Sequence, residues 1–139
     1  MRDRNAQHLG EMCPCGTGQP EAKCCGPFLA GAPAPTAVAM MRSRYTAYVR
    51  GAIEYLLATH DPSTKGGVDV KAVTRWSKQT MWLGLEIVAT KAGRKSDREG
   101  VVEFIARGST LGRPFEQRER SRFHKGDDGR WYYVDGDVS

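Results

Sequence analysis

Between positions 36 and 51 the apolar residues Val38, Met41, Tyr45, Tyr48 and Val49 recur at steps of three, four, three and one, which places them on one side of a helix. Thr36 is a good N-cap and Gly51 a natural stop, so the pattern predicts a helix over 37–50. A second helix over 52–59 turns Ile53, Leu56 and Leu57 inward and is broken by His60-Asp61-Pro62, because the residue before a proline avoids the helical region. Asp69 can cap a third, running through residue 76 with Val70 and Val73 inward. From Met81 the period falls to two: Leu83, Leu85 and Ile87 share one face of a strand, and Trp82, Gly84 and Glu86 the other. A polar turn over 93–100 leads to a second strand at 101–107, and a loop over 108–114 leads to a third at 115–124. Gly126-Asp127-Asp128-Gly129 then forms a hairpin with a last strand at 130–135. Three helices followed by four antiparallel strands predict an α+β fold, with the helices packed on one face of a curved sheet. That order argues against a βαβ nucleotide-binding fold.

The first 35 residues follow neither period. Residues 1–12 are expected to form a mobile terminus, and 28–35, Phe28-Leu29-Ala30-Gly31-Ala32-Pro33-Ala34-Pro35, a stiff apolar linker. Residues 13–27 hold all four cysteines: Cys13, Cys15, Cys24 and Cys25. The total of 139 residues accommodates one main domain over 36–139 with this appendage in front. No run approaches the roughly 18 apolar residues of a membrane span, and no apolar stretch follows the charged start Met1-Arg2-Asp3-Arg4, so no membrane role and a cytoplasmic location are expected. The formal net charge of +5 gives weak support to acidic partners. Four zinc-bound thiolates and the ion together lower it to about +3, which makes nucleic acid an unlikely partner.

In a reducing compartment four clustered thiols bind metal more readily than they pair. Two disulfides would have to leave the adjacent Cys24 and Cys25 for Cys13 and Cys15, a crowded geometry hard to reconcile with normal bridges. Four sulfurs on two short arms suit a tetrahedral zinc ion instead, with Gly16, Gly18 and Pro20 making the reversal between them. Free or transiently oxidised thiols are the alternative, and the spacing matches no ferredoxin run. With all four positions filled by cysteine the zinc is structural, with no place for a substrate.

Cys13-Pro14-Cys15-Gly16-Thr17-Gly18 followed by Cys24-Cys25-Gly26 resembles the SEC-C motif, the zinc-binding module at the C-terminus of the preprotein translocase ATPase SecA, with Thr17 in place of the usual serine. Met41-Arg42-Ser43-Arg44-Tyr45, Trp82-Leu83-Gly84-Leu85-Glu86-Ile87, Glu119-Arg120-Ser121-Arg122-Phe123 and Gly129-Arg130-Trp131-Tyr132-Tyr133-Val134-Asp135-Gly136 extend the resemblance to the YchJ family of bacterial proteins. The resemblance implies a SEC-C knuckle followed by a domain similar to nuclear transport factor 2. It also implies a protein-interaction role in which the knuckle docks onto a partner such as SecB or the ribosome. On that two-module picture, removing the metal unfolds the knuckle and leaves the main domain standing.

The alternative is a small-molecule binder or enzyme using the cavity between sheet and helices. Its candidate residues are Arg42, Arg44, Tyr45, Tyr48, His60, Trp82, Glu103, Glu119, Trp131 and Tyr133. Glu103 or Glu119 on a buried face would be either a general acid/base group or half of an ion pair with Arg42 or Arg44, and the ion pair is the preferred reading. Arg118, Arg120 and Arg122 alternate along the third strand. They form a basic stripe able to meet the phosphates of nucleic acid or ribosome, or, as preferred, a solvated face paired with acidic neighbours.

Overall fold

A computed structural model describes residues 11–139 of the chain. Among them the order is α1 (Gly26–Leu29), α2 (Ala37–Arg50), α3 (Ile53–Ala58), α4 (Pro62–Lys65), α5 (Val70–Gln79), then β1 (Thr80–Ala92), β2 (Glu99–Thr110), β3 (Arg113–Lys125) and β4 (Trp131–Val138). Helix α2 starts and stops where its caps predict: Thr36 accepts a hydrogen bond from the Ala39 amide, and Gly51 takes the left-handed conformation at φ 71°. Asp69 likewise caps α5, which runs three residues past the expected end. The helical count exceeds the three expected. Pro27 and Pro62 each pre-set φ for a first turn, so the linker and the breaker after His60 both open with a single turn of helix. Residues 1–10 of the expected mobile terminus lie outside the described residues. Met12 pairs with Pro20 in an isolated bridge.

The four strands form one antiparallel sheet in the order β1-β2-β3-β4. Alternation along β1 is broken twice, by bulges at Leu83 and Val88. Each extra residue reverses the inward face, so Trp82, Leu85 and Ile87 all pack against the core while Leu83 is 63% exposed. The expected grouping of Leu83 with Leu85 and Ile87, apart from Trp82, is corrected by that bulge. The expected loop over 108–114 is likewise reduced to two residues, Leu111 and Gly112, both at positive φ (52° and 81°), with Thr110 paired directly to Arg113.

Helix α2 is buried on more than the one side its period predicts. Ser43, Arg44 and Thr46 are buried along with Met40, Met41, Tyr45 and Ala47. Its first turn sits on the β1–β2 turn, where the Ala37 amide donates to the Gly93 carbonyl at 2.9 Å. A Cβ on Gly93 would lie 2.7 Å from that of Ala37, and one on Gly100 would lie 2.5 Å from the Gly93 Cα. These two glycines let helix and sheet touch. One side of α2 faces the inner face of the sheet, the other the cysteine segment, and Cys13, Cys15 and Cys25 join Met41, Tyr45, Phe104 and Phe123 in one hydrophobic cluster.

Candidate functional site

The two cysteine arms are brought together by backbone first. The Cys13 amide donates to the Gln19 carbonyl at 2.8 Å, and Gly16 and Gly18 reverse the chain at φ 84° and 83°. The four sulfurs lie within 4.8 Å of one another, with Cys15 and Cys24 at 3.5 Å and Cys24 and Cys25 at 4.0 Å. Thiolates about 2.3 Å from a tetrahedral ion stand about 3.8 Å apart. The four cysteines therefore fit a single tetrahedral metal ion, and all four are free of disulfides. Hydrogen bonds from Cys13 and Cys25 push the Cys15 thiol far down, the same bonded ring pushes Cys25 up, and burial leads Cys24 up to about 11. Cys24 and Cys25 thus resist deprotonation in the absence of an ion, and a divalent cation at the cluster would offset that resistance.

The segment is bolted to α2. Arg42 Nη1 donates to the Cys15 carbonyl at 2.7 Å, Thr46 Oγ1 lies 3.6 Å from Cys13 Sγ, and Arg50 reaches Glu21 with Nη2 to Oε1 at 2.5 Å and Nε to Oε1 at 3.1 Å. Glu21 is only 3% exposed, so this ion pair is largely desolvated. A position between two cysteine arms did not mark Glu21 as a charge partner in the sequence, and neither it nor Thr46 and Arg50 was anticipated.

On the opposite side of α2 a cavity of about 320 Å³ lies between α2, α3, α5 and the inner face of the sheet. The rings of Tyr48, Trp76 and Trp82 meet edge-on or tilted, with centroids 4.9–5.5 Å apart, and form one wall. The polar lining is Arg44, His60, Asp69, Gln117, Glu119 and Tyr133. Arg44 is 6% exposed; its Nη1 donates to the Leu56 carbonyl at 2.8 Å and to Thr59 Oγ1 at 2.7 Å, and its guanidinium carbon lies 4.6 Å over the Tyr133 ring. Burial pushes its pKa below the ordinary arginine value. Glu119 Oε2 accepts from Ser121 Oγ at 2.5 Å and more loosely from the Tyr133 hydroxyl at 3.5 Å, and Oε1 accepts from Gln117 at 3.4 Å. His60 Nε2 is spent on Thr64 Oγ1 at 3.0 Å, and burial, then Arg44, lowers its pKa.

These features sit on a chain whose residues 36–136 match the family described as YchJ, middle NTF2-like domain. The chain belongs to the YchJ family. A UPF0225 protein of Geobacter sulfurreducens is 45% identical over 129 residues, covering 92% of this chain and 80% of that one. Another from Chromobacterium violaceum is 47% identical over 129 residues, 91% and 93% of the two chains. The solution structure of a SEC-C motif containing protein from Rhodopseudomonas palustris superposes with a TM-score of 0.81 at 35% identity, over 90% of this chain and 96% of that one. The crystal structure of a SEC-C motif containing protein from Psychrobacter arcticus gives 0.80 at 32% identity, over 96% and 85%. Among the described residues no helix is long and apolar enough to cross a membrane.

In this YchJ-family chain the candidate pocket residues Arg44, Tyr45, Tyr48, His60, Trp82, Glu119 and Tyr133 line the cavity. The other three candidates lie elsewhere. Arg42 turns to the cysteine segment. Glu103 shares the outer sheet face with Val101 and Ile105, because the inward residues of β2 are Val102, Phe104 and Ala106; it pairs with Arg118 at 2.6 Å. Trp131 is buried beside the linker, with its indole N–H donating to the Pro35 carbonyl at 3.3 Å. Of the basic stripe, Arg122 is held bidentate by Asp135 at 2.6 and 2.5 Å, and Arg120 lies opposite Glu103 and Asp137 in the ladder. Trp76, Ala72 and Gln117 complete the cavity wall and were not anticipated there. Of the two valines expected to face inward from the third helix, only Val73 lines the cavity; Val70, in the first turn, is 43% exposed, a correction to that expectation.

Proposed function

We propose that the chain is a small-molecule-binding protein whose cavity is kept in shape by a structural zinc site. The observation that carries this reading is the cavity itself: aromatic side chains line about 320 Å³ of space without filling it, and polar groups converge on one wall. Cys13, Cys15, Cys24 and Cys25 would hold the zinc, which supplies a four-way cross-link and no open coordination position. The chain's own residues carry that cross-link to the cavity: Arg42, Thr46 and Arg50 grip the cysteine segment from one side of α2, while Met41, Arg44, Tyr45 and Tyr48 line the cavity from the other.

Docking of the knuckle onto a protein such as SecB or the ribosome has less to recommend it. Cys13, Cys15, Cys25 and Glu21 are buried against the domain, which leaves Met12, the polar reversal 16–19 and the short stretch Ala22-Lys23 as outward surface, with no contiguous apolar patch for a partner among these described residues. Acid/base catalysis by a histidine–carboxylate pair lacks its contact, since His60 is bonded to Thr64 and Glu119 to Ser121, Gln117 and Tyr133. The arginine stripe is largely neutralised by Glu103 and Asp135.

The test is a plug. Ala72 lines the cavity from α5 and is only partly buried, so Ala72→Phe adds a ring into the space with little disturbance to the core. Binding of indole, followed by ligand-observed NMR, is expected for the parent protein and lost in the variant while thermal stability is retained. Indole binding that survives the plug unchanged overturns the cavity reading.

A further inference from the structure

We propose that the ligand of this cavity is a small aromatic monocarboxylate anchored on Arg44, an inference that rests on the small-molecule reading above. Space sets the size. A volume of 320 Å³ at the roughly 30 Å³ occupied by a water molecule corresponds to about ten non-hydrogen atoms, one ring and a short polar group. The wall sets the body, because Tyr48, Trp76 and Trp82 present ring faces and edges at the 5–6 Å spacing that a further ring continues.

Charge sets the polar end. Arg44 spends Nη1 on Leu56 and Thr59, and no carboxylate among the described residues lies within salt-bridge distance of it. No sealed side-chain nitrogen among the described residues lacks a partner, so the remaining donors of this buried guanidinium, which have no protein acceptor, touch the space of the cavity it lines. A planar fork of donors at the polar end of an aromatic-lined cavity matches a carboxylate. One charge suffices and two do not fit. Glu119 already places a carboxylate on the same wall, held by Ser121, Gln117 and Tyr133, Asp69 also lines the cavity, and His60 has its Nε2 engaged with Thr64, so the lining residues offer no second cationic partner to a dianion.

The experiment uses the zinc-loaded full chain and three probes that share a ring: phenylacetate, phenylacetamide and phenyl phosphate. Calorimetry is expected to give phenylacetate an affinity about ten- to a hundred-fold above phenylacetamide, the worth of a charge-assisted hydrogen bond, with phenyl phosphate weaker than phenylacetate. Arg44→Met, where circular dichroism shows it folded, should abolish the preference for the acid and leave the amide bound. Glu119→Gln, which keeps an acceptor for Ser121, guards against an Arg44 variant that does not fold. It removes the repelling charge and should tighten phenylacetate several-fold relative to phenylacetamide. Equal binding of acid and amide, tightest binding of phenyl phosphate, or an unchanged phenylacetate affinity in Glu119→Gln overturns the carboxylate inference and leaves the cavity reading standing. Failure of all three probes to bind at millimolar concentration, together with failure of indole, overturns both.

Discussion

Replacing Arg50 by methionine removes the guanidinium that faces Glu21 and leaves a carboxylate only 3% exposed without a counter-charge. Two hydrogen bonds to Glu21 Oε1, at 2.5 and 3.1 Å, are lost with it. Breaking a buried ion pair from one side costs about 3–5 kcal/mol, because the orphaned charge keeps its desolvation penalty. For a domain of this size that corresponds to a fall in Tm of about 10–20 °C. Glu21→Gln should cost less, about 1–3 kcal/mol, since Arg50 at 13% exposure can turn toward water and the amide still accepts a hydrogen bond. The double replacement Glu21→Leu with Arg50→Met should recover most of the loss, as apolar groups of similar shape replace buried pairs at little cost. Differential scanning calorimetry of the zinc-loaded proteins measures all three. A loss under about 1 kcal/mol for Arg50→Met would refute the premise that the cysteine segment is clamped to α2 through this pair.

Chelation should abolish the native fold in one transition followed by circular dichroism, since three cysteines share a cluster with Met41, Tyr45 and Phe123; a zinc-free chain that melts like the loaded one contradicts this. Gly100→Ala should destabilise by about 1–3 kcal/mol in denaturant titration, because its Cβ would stand 2.5 Å from the Gly93 Cα and 3.0 Å from the Ala37 Cβ. By NMR titration the His60 ring should protonate below the ordinary histidine value of about 6.5, lowered by burial, Arg44 and Lys65 against the opposing pull of Asp61. The unfolded chain then takes up that proton first, so the stability this group contributes is present above about pH 6.5 and lost as pH falls through the folded midpoint. His60→Gln should flatten that part of the stability–pH curve.

Local signals were legible where one residue decides a conformation. Thr36 and Gly51 bound α2 because a side-chain cap and a left-handed stop act within a single turn. The cysteine spacing announced a four-sulfur cluster, since ligand type and reach are local properties. Face assignment was less legible. Alternation in β2 separates Glu103 from Phe104 but does not say which faces the helices, and the bulge at Leu83 shifts β1 by a residue with no mark in its period. The turn at Leu111 was hidden because leucine is an unusual residue at positive φ. Helical period put Tyr45 and Tyr48 on the apolar side but gave no hint that polar Arg42, Thr46 and Arg50 contact the cysteine segment, because what covers the other side of α2 comes from residues far away in sequence.

Occupancy of the cavity is tested most directly by intermolecular NOEs between phenylacetate and the assigned ring protons of the zinc-loaded protein. Binding between α2, α5 and the sheet predicts contacts from the ligand ring to Tyr48, Trp76 and Trp82. Contacts to Leu111, Pro114 and Val138 without any to Tyr48 or Trp82 would contradict it, because those residues line a neighbouring surface groove that shares only Trp76 and Gln117 with the cavity.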